Sequence, residues 1–289
     1  PPHVFFYCYG DHRYLHKEFR RQRLMCIRDS GNVRLEPVHE NSKEGLDLIR
    51  HTAAHVLAEA VQSVYPGTKV TIGPVIENGF YYDFSSERSF TEEDLELFEK
   101  KMQEIINEKK PMLKKLVSRQ DAIATFKNME ETFKEEIIRD LDGDEEISLY
   151  YQGDWFDLCR GPHAPNTSYV KAFKLLSVAG SYWRGDEERE SLQRIYGTAF
   201  FNKKDLKKYL LMLEEAKKRD HRKLGKELNL FSITDDIGPG LVLWHPNGAI
   251  VRSIIENYWR DKHIEADYKI VYTPHVAKST IWETSGHSE

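Results

Sequence analysis

Two residue pairs in this chain have the types and spacing for chemistry: His51 with His55 in HTAAH, and Cys159 with His163 in CRGPH, both i, i+4. Three imidazoles and a thiol can bind a metal, shuttle protons or attack a carbonyl. Each pair alone is weak evidence. Beside an aromatic strand and a basic helix in the same chain, they point to a hydrolytic site that meets nucleic acid.

The elements that must carry these residues are legible. From Leu46 to Val64, the residues Leu46, Ile49, Ala53, Val56, Leu57, Ala60 and Val64 recur at steps of three or four. At ~100° per residue they form one apolar stripe, and His51 and His55 fall on the opposite side. Taken alone, that pair reads as two solvated surface histidines. The second pair changes the balance. In LYYQGDWFDLC, Gly153-Asp154 turns between two aromatic-rich strands. A period of two puts Trp155, Asp157 and Cys159 on one face and Phe156 and Leu158 on the other. Gly161 and Pro162 then bring His163 back beside the thiol. A core strand rarely places an Asp there.

Around these motifs, Pro66-Gly67 stops the His helix, and Lys69–Ile72 and Phe80–Phe84 read as strands. Thr91 with Asp94 opens a helix that buries Leu95, Phe98, Met102 and Ile105, and Pro111 follows its end. Ser118 with Asp121 opens another, with Ala122, Phe126, Met129, Phe133 and Ile137 on its core face. Strands follow around Leu175–Trp183 and Leu192–Tyr196. The mixture predicts an α+β fold with a largely antiparallel sheet. Asn202–Lys226 holds ten Lys/Arg against four Asp/Glu, with Leu206, Leu210 and Leu213 as a seam. It reads as one basic amphipathic helix, either a solvated linker or a salt-sensitive contact to an RNA backbone through Lys217, Lys218 and Arg222. Pro246 starts a helix running to about Lys262, and Tyr268–Tyr272 reads as a strand closed by Pro274.

Composition bounds the function. The 289 residues suffice for one large or two ordinary domains, and a net charge of -5 confines any nucleic-acid surface to a local patch. Three cysteines give no disulfide framework, so a reducing cytoplasm is the default. No stretch approaches the ~20 apolar residues of a membrane helix. Arg20–Ser30, RRQRLMCIRDS, follows neither period. Residues 1–30 are left unassigned, as non-native sequence or a basic arm, and are excluded from fold reasoning.

HTAAH, TIGPVIENGFYYDF, CRGPH, SYWRGD and RIYGTAF resemble the editing domain of bacterial threonyl-tRNA synthetases. RDHRKLG resembles that family's linker helix. LVLWHPNGAIVRSIIENYW through TPHV is similar to motif 1 of class II synthetases. The resemblance implies an editing domain over 41–201, a basic linker helix over 202–226, and the N-terminal part of a class II catalytic core over 227–289. Residues 31–40 read as a remnant of the family's ubiquitin-like domain.

In such enzymes ATP, Mg2+ and Zn2+ serve the ligation of threonine to tRNA(Thr), and the editing domain hydrolyses mischarged Ser-tRNA(Thr). Serine lacks one methyl group, which gives only ~1–3 kcal/mol of discrimination, so accuracy needs a second site. The resemblance carries His51, His55, Lys134, Asp157, Cys159 and His163 over as catalytic and Tyr82 as substrate-binding. A histidine near its ordinary pKa of ~6.5 can activate water, and Lys134 can stabilise developing charge. Cys159 reads as nucleophile, water-positioning group or pocket lining. His51, His55, Cys159 and His163 are also the metal ligands if the cluster holds zinc. The alternatives are a free-standing alanyl-type trans-editing deacylase and a non-catalytic tRNA- or metal-binding module; a motif 1 segment suits neither. The family's motifs 2 and 3, with their ATP-binding arginines, its catalytic zinc ligands and its anticodon-binding domain have no counterpart before Glu289, so the chain as given is expected to edit and not to ligate. Homodimerisation through motif 1 and a cytoplasmic location complete the expectation.

Overall fold

The structure is a computed structural model that describes residues 4–8, 35–39, 42–141 and 147–287. It divides into two compact units, Pro1–Leu210 and Leu211–Glu289. Helices and antiparallel sheets make up both, so the α+β expectation holds.

In the first unit, β1 (Val4–Cys8) pairs antiparallel with β2 (Leu35–His39). A strand thus arises inside the segment the sequence left unassigned. Arg20–Ser30 lies outside the described residues, as does half of the 31–40 remnant. α1 (Lys43–Val64) starts at Ser42, whose hydroxyl accepts the Gly45 N–H at 3.0 Å. Its stripe packs on α2 (Glu92–Asn107) and on the sheet formed by β3 (Lys69–Val70), β4 (Val75–Ile76) and β5 (Gly79–Ser85) with two later strands. The opposite face of α1 is buried as well. Thr52, Ala54, Ala58 and Val61 are inaccessible and His55 is only 2% exposed. The reading of solvated histidines is therefore overturned: a second layer covers the polar side of the helix.

That layer is β6 (Met112–Val117), the helices α3 (Arg119–Asn128) and α4 (Thr132–Asp140), and the hairpin β7 (Ile147–Gln152) and β8 (Trp155–Leu158). The three strands pair in the order β6-β7-β8. Sequence periodicity suggested one helix from Ser118 through Ile137. The structure breaks it at Met129–Glu131, where Glu130 takes φ 59° and the Glu131 N–H bonds back to the Phe126 carbonyl at 2.9 Å. The break re-aims α4 so that Phe133 and Lys134 point inward. The main sheet is completed by β9 (Ala172–Tyr182) and β10 (Ser191–Phe200), in the order β3-β5-β10-β9 with β4 also on β5. Phe80, Tyr82 and Phe84 alternate onto its α1 side and are fully or almost fully buried.

Gly79 shows how tightly this sheet is drawn. A Cβ there would sit 2.2 Å from the Gly197 carbonyl oxygen across the strand pair, whereas one at Gly180 meets nothing within 4 Å. Gly79→Ala should lower the unfolding free energy by about 1–3 kcal/mol through forced backbone movement. Gly180→Ala should stay within ~1 kcal/mol of wild type. Urea midpoints at constant slope would show the contrast; equal midpoints would refute it.

α5 (Lys203–Lys218) crosses the boundary between the units, and α6 (His221–Glu227) follows in the second. The single basic helix of the sequence reading is thus two. Asp220 ends the first by capping the second: its carboxylate accepts the Arg222 N–H at 2.8 Å. The second unit continues through β11 (Phe231–Ser232), β12 (Leu243–Trp244), α7 (Pro246–Glu265) and α8 (Ser279–Ser285). Pro246 does open α7. Tyr268–Tyr272 is not a strand, for no described segment pairs with it. A strand without a partner leaves its backbone groups unmet. Among the described residues, no helix is long and apolar enough to cross a membrane.

Candidate active site

The site forms where α1 meets the β7–β8 hairpin. One helical turn separates His51 from His55, so both rings project toward the hairpin. Tyr150 stands opposite Asp157 in the ladder, which puts Asp157, and Cys159 two residues on, on the α1 side. The chain then reverses through Gly161, with φ 72°. A side chain there would strike the Tyr150 hydroxyl, its Cβ 2.1 Å from that oxygen, so this turn requires glycine twice over. The reversal returns His163 against the thiol.

Two imidazoles converge on one sulfur. His51 Nε2 lies 3.2 Å from Cys159 Sγ and His163 Nε2 3.3 Å, while the Gly161 N–H donates to the same sulfur at 3.1 Å. The outer nitrogens settle the tautomers. His51 Nδ1 faces the Pro162 carbonyl at 3.2 Å and must be its donor. Thr52 Oγ1 donates to the Leu48 carbonyl at 2.9 Å, so it accepts from His163 Nδ1 at 3.5 Å and from the Ala164 N–H at 2.9 Å. Both Nε2 atoms therefore present lone pairs to Sγ. A thiol has one proton and can satisfy one of them; the other remains a base. His55 closes the cluster, with ring centroids 4.1 Å from His163 and 5.7 Å from Trp155. Its Nδ1 is buried without a hydrogen-bond partner.

Beneath the cluster lies a buried polar floor. Lys134 Nζ is 2.5 Å from Asp157 Oδ1, with the two side chains 3% and 2% exposed. The Tyr82 hydroxyl donates to Asp157 Oδ2 at 2.5 Å, and Lys134 donates to Tyr82 at 3.1 Å. His55 Nε2 stands 3.8 Å above Asp157. Trp155 is held in turn: its indole N–H donates to Gln62 at 2.8 Å, and Gln62 donates to Glu131 at 2.6 Å.

Burial sets the protonation states. It lowers the pKa of His51, brings His55 down to about 3 and holds His163 well below the usual imidazole value, the neighbouring rings reinforcing it for the last two. Burial also pushes the Cys159 thiol up to about 12 against the opposing Gly161 N–H. Burial alone would raise the Asp157 carboxyl, but the Lys134 charge, then His55 and the Lys134 and Tyr82 hydrogen bonds, hold it below its usual range. Tyr82 is raised well above the phenol range by burial and by Asp157. The cluster is thus neutral imidazoles and a protonated thiol over an ionised carboxylate.

Each of His51, His55, Cys159 and His163 offers one donor atom, all within 4.8 Å of one another. Imidazole and thiolate are zinc's ligands of choice, and the carbonyl and hydroxyl behind His51 and His163 orient them as ligands need. Bonds of ~2.0–2.3 Å in a tetrahedron set donors roughly 3.3–3.8 Å apart, so the widest pair would draw in by about 1 Å and the thiol would ionise. The residues fit the metal in kind.

The structure brings together His51, His55, Tyr82, Lys134, Asp157, Cys159 and His163, all seven residues the sequence singled out for this site. Lys217, Lys218 and Arg222 belong to the second unit, where Lys218 pairs with Glu215 at 2.9 Å and Arg222 with Asp220 at 2.7 Å. Sequence reasoning missed Thr52, Gln62 and Tyr150. Thr52 lies inside HTAAH itself, and strand register would have put Tyr150 beside Asp157.

The segment that carries the hairpin and the turn to His163 has a family match. The family described as "Threonyl and Alanyl tRNA synthetase second additional domain" matches residues 147–196, which carry Asp157, Cys159 and His163. Beyond that segment, the chain is 53% identical over 258 residues to the threonine--tRNA ligase of Nitrosococcus oceani, covering 89% of this chain and 40% of that protein. The corresponding ligase of Acidithiobacillus ferrooxidans is 56% identical over 252 residues, 87% of this chain and 39% of the relative. That of Geobacter sp. is 55% identical over 257 residues, 89% and 40%. The chain is a homologue of threonyl-tRNA synthetases and carries a segment that matches their second additional domain; it spans about two fifths of the length of the relatives it matches.

Proposed function

We propose that the first unit hydrolyses serine from mischarged tRNA(Thr), within a protein that in its full length ligates threonine to tRNA(Thr) with ATP, Mg2+ and Zn2+. The observation that carries the reading is the convergence of His51 and His163 on Cys159 with a lone pair to spare. A water seated at the cluster gives its proton to that free Nε2 as its oxygen attacks the ester carbon; the acyl–oxygen bond then breaks and the imidazolium returns the proton to the leaving ribose oxygen. The protonated, desolvated thiol is a poor nucleophile, so Cys159 orients the imidazoles by its S–H and its sulfur. Lys134 donates to Asp157 and Tyr82 and is buried; it acts from the floor, fixing Asp157 under His55 and leaving substrate contact to the groups above. Tyr82 likewise serves Asp157.

A second reading rests on the four converging donors. There His51, His55, Cys159 and His163 would hold zinc, which supplies an acidified water. Hydrolysis that survives a chelator belongs to the imidazoles; hydrolysis lost to a chelator and restored by zinc belongs to the second reading. The function itself is tested with the purified chain on Ser-tRNA(Thr) and Thr-tRNA(Thr). Preferential release of serine supports it. Preference for alanyl- or glycyl-tRNA would favour the trans-editing alternative, and decay at the buffer rate would favour a binding module.

The remaining proposals follow the same kinship: an editing domain over 41–201, a linker over 202–226 and the start of a class II core over 227–289, in a cytoplasmic homodimer. Exposed Ile250, Ile254, Ile255, Tyr258 and Trp259 on α7 support the dimer. If the linker touches tRNA, reversing Lys217, Lys218 and Arg222 to Glu should weaken binding of all tRNAs alike and flatten its salt dependence. An unchanged salt slope would leave α5 and α6 as a connection only.

A further inference from the structure

β6 is the edge strand of the hairpin sheet, and its register puts Lys114 opposite Tyr150, which in turn faces Asp157. Side chains along such a row share a face, so Lys114 stands on the face that carries Asp157 and Cys159. It is half-buried, and among the described residues its ammonium has no hydrogen bond or ion pair. Its neighbours are accounted for. Lys110 pairs with Glu59 at 2.5 Å and Glu108 at 3.1 Å, and Lys115, on the opposite face, lies 3.9 Å over the Tyr151 ring. The Lys114 charge reaches the reaction centre, where it pulls against the raised pKa of the Cys159 thiol.

An unpartnered ammonium beside a neutral cluster is a place for an anion. The substrate of the proposed hydrolysis supplies one at a fixed distance. Its ester sits on the terminal ribose, and the nearest negative charge is the phosphate on the 5′ side of that same nucleoside. Two strand spacings, about 10 Å, separate the backbone of β6 from that of β8, and the lysine stem shortens the gap. We propose that Lys114 is a docking residue for the 5′-phosphate of the substrate's terminal nucleotide. The role rests on the hydrolase reading above and deepens it. Lys114 binds the group next to the one that reacts, so it governs how the ester is presented and leaves the chemical step alone.

The test compares the seryl ester of adenosine with the seryl ester of adenosine 5′-monophosphate, which differ by the one phosphate, using the full chain. Wild type should show a KM about five- to tenfold lower for the phosphorylated ester, as a charge-assisted contact open to solvent gives. Lys114→Ala should erase that difference by raising KM on the phosphorylated ester alone, with kcat unchanged. Lys114→Arg should retain it, and Lys115→Ala should behave as wild type. An unaltered KM ratio in Lys114→Ala overturns the docking role while leaving the hydrolase intact. So does a fall in kcat on both esters alike. No hydrolysis of either ester or of Ser-tRNA(Thr) by wild type overturns both.

Discussion

Deacylation of Ser-tRNA(Thr) by a His51→Ala, His163→Ala variant should fall about 10²- to 10⁴-fold, the range that general-base catalysis supplies. Both changes remove an Nε2 lone pair aimed at Cys159, so neither ring can cover for the other. The single variants are the sharper probe of mechanism. A thiol proton shared between two bases lets one base fail at modest cost; each single change should therefore cost less than the double change by at least tenfold. Folding is a separate question, because His163 also packs against Tyr150 and His55. Near-wild-type urea midpoints must accompany the lost rate. Serine release at wild-type speed by the folded double variant would remove the imidazoles from the mechanism.

Lys134→Met should lower the unfolding free energy by about 3–5 kcal/mol, the range for stripping one partner from a buried ion pair. The methionine fills the space but leaves the Asp157 carboxylate buried without a cation, held by the Tyr82 hydroxyl and the Leu158 N–H with His55 nearby. Lys134→Met, Asp157→Leu should recover most of the loss, since the buried charge goes with its partner. The sign of the pH dependence follows. In wild type the Asp157 pKa is depressed, so its stabilisation is complete above the ordinary carboxylate pKa and is lost as pH falls through the depressed value. Without Lys134 burial dominates and that pKa rises, so protonation relieves the variant. The gap between variant and wild type should therefore narrow from pH 7 to pH 5. Urea titrations at the two pH values decide it; a gap that stays constant or widens would place the cost elsewhere.

The placement of the candidate residues was easier to read in the sequence than their surroundings. HTAAH and CRGPH are short motifs whose spacing survives any context, and period-two alternation put Asp157 and Cys159 on one face before any fold was known. What misled was local pattern without tertiary knowledge. His51 and His55 oppose an apolar stripe, which normally means solvent; here a second layer closes over them. Phe126 and Phe133 keep helical spacing across a break that Glu130 makes with a left-handed backbone, a choice no periodicity reports. Asp220 looks like one more charge in a basic run, yet it caps a new helix and halves the run. Tyr268–Tyr272 has strand composition and no described partner, and pairing is a property of the whole sheet. Lys134 was found through family likeness alone, for a buried lysine is indistinguishable from a surface one until its carboxylate is in view.

α1 serves as the central pillar of its unit while two of its residues belong to the proposed reaction centre. Its backbone amides near His51 and His55 should then be among the slowest in the chain to exchange with deuterium, opening only when the whole unit unfolds. Among the described residues, the groups of such a centre stand on the core itself. In the proposed hydrolase, discrimination between two amino acids then falls to the walls these core residues form.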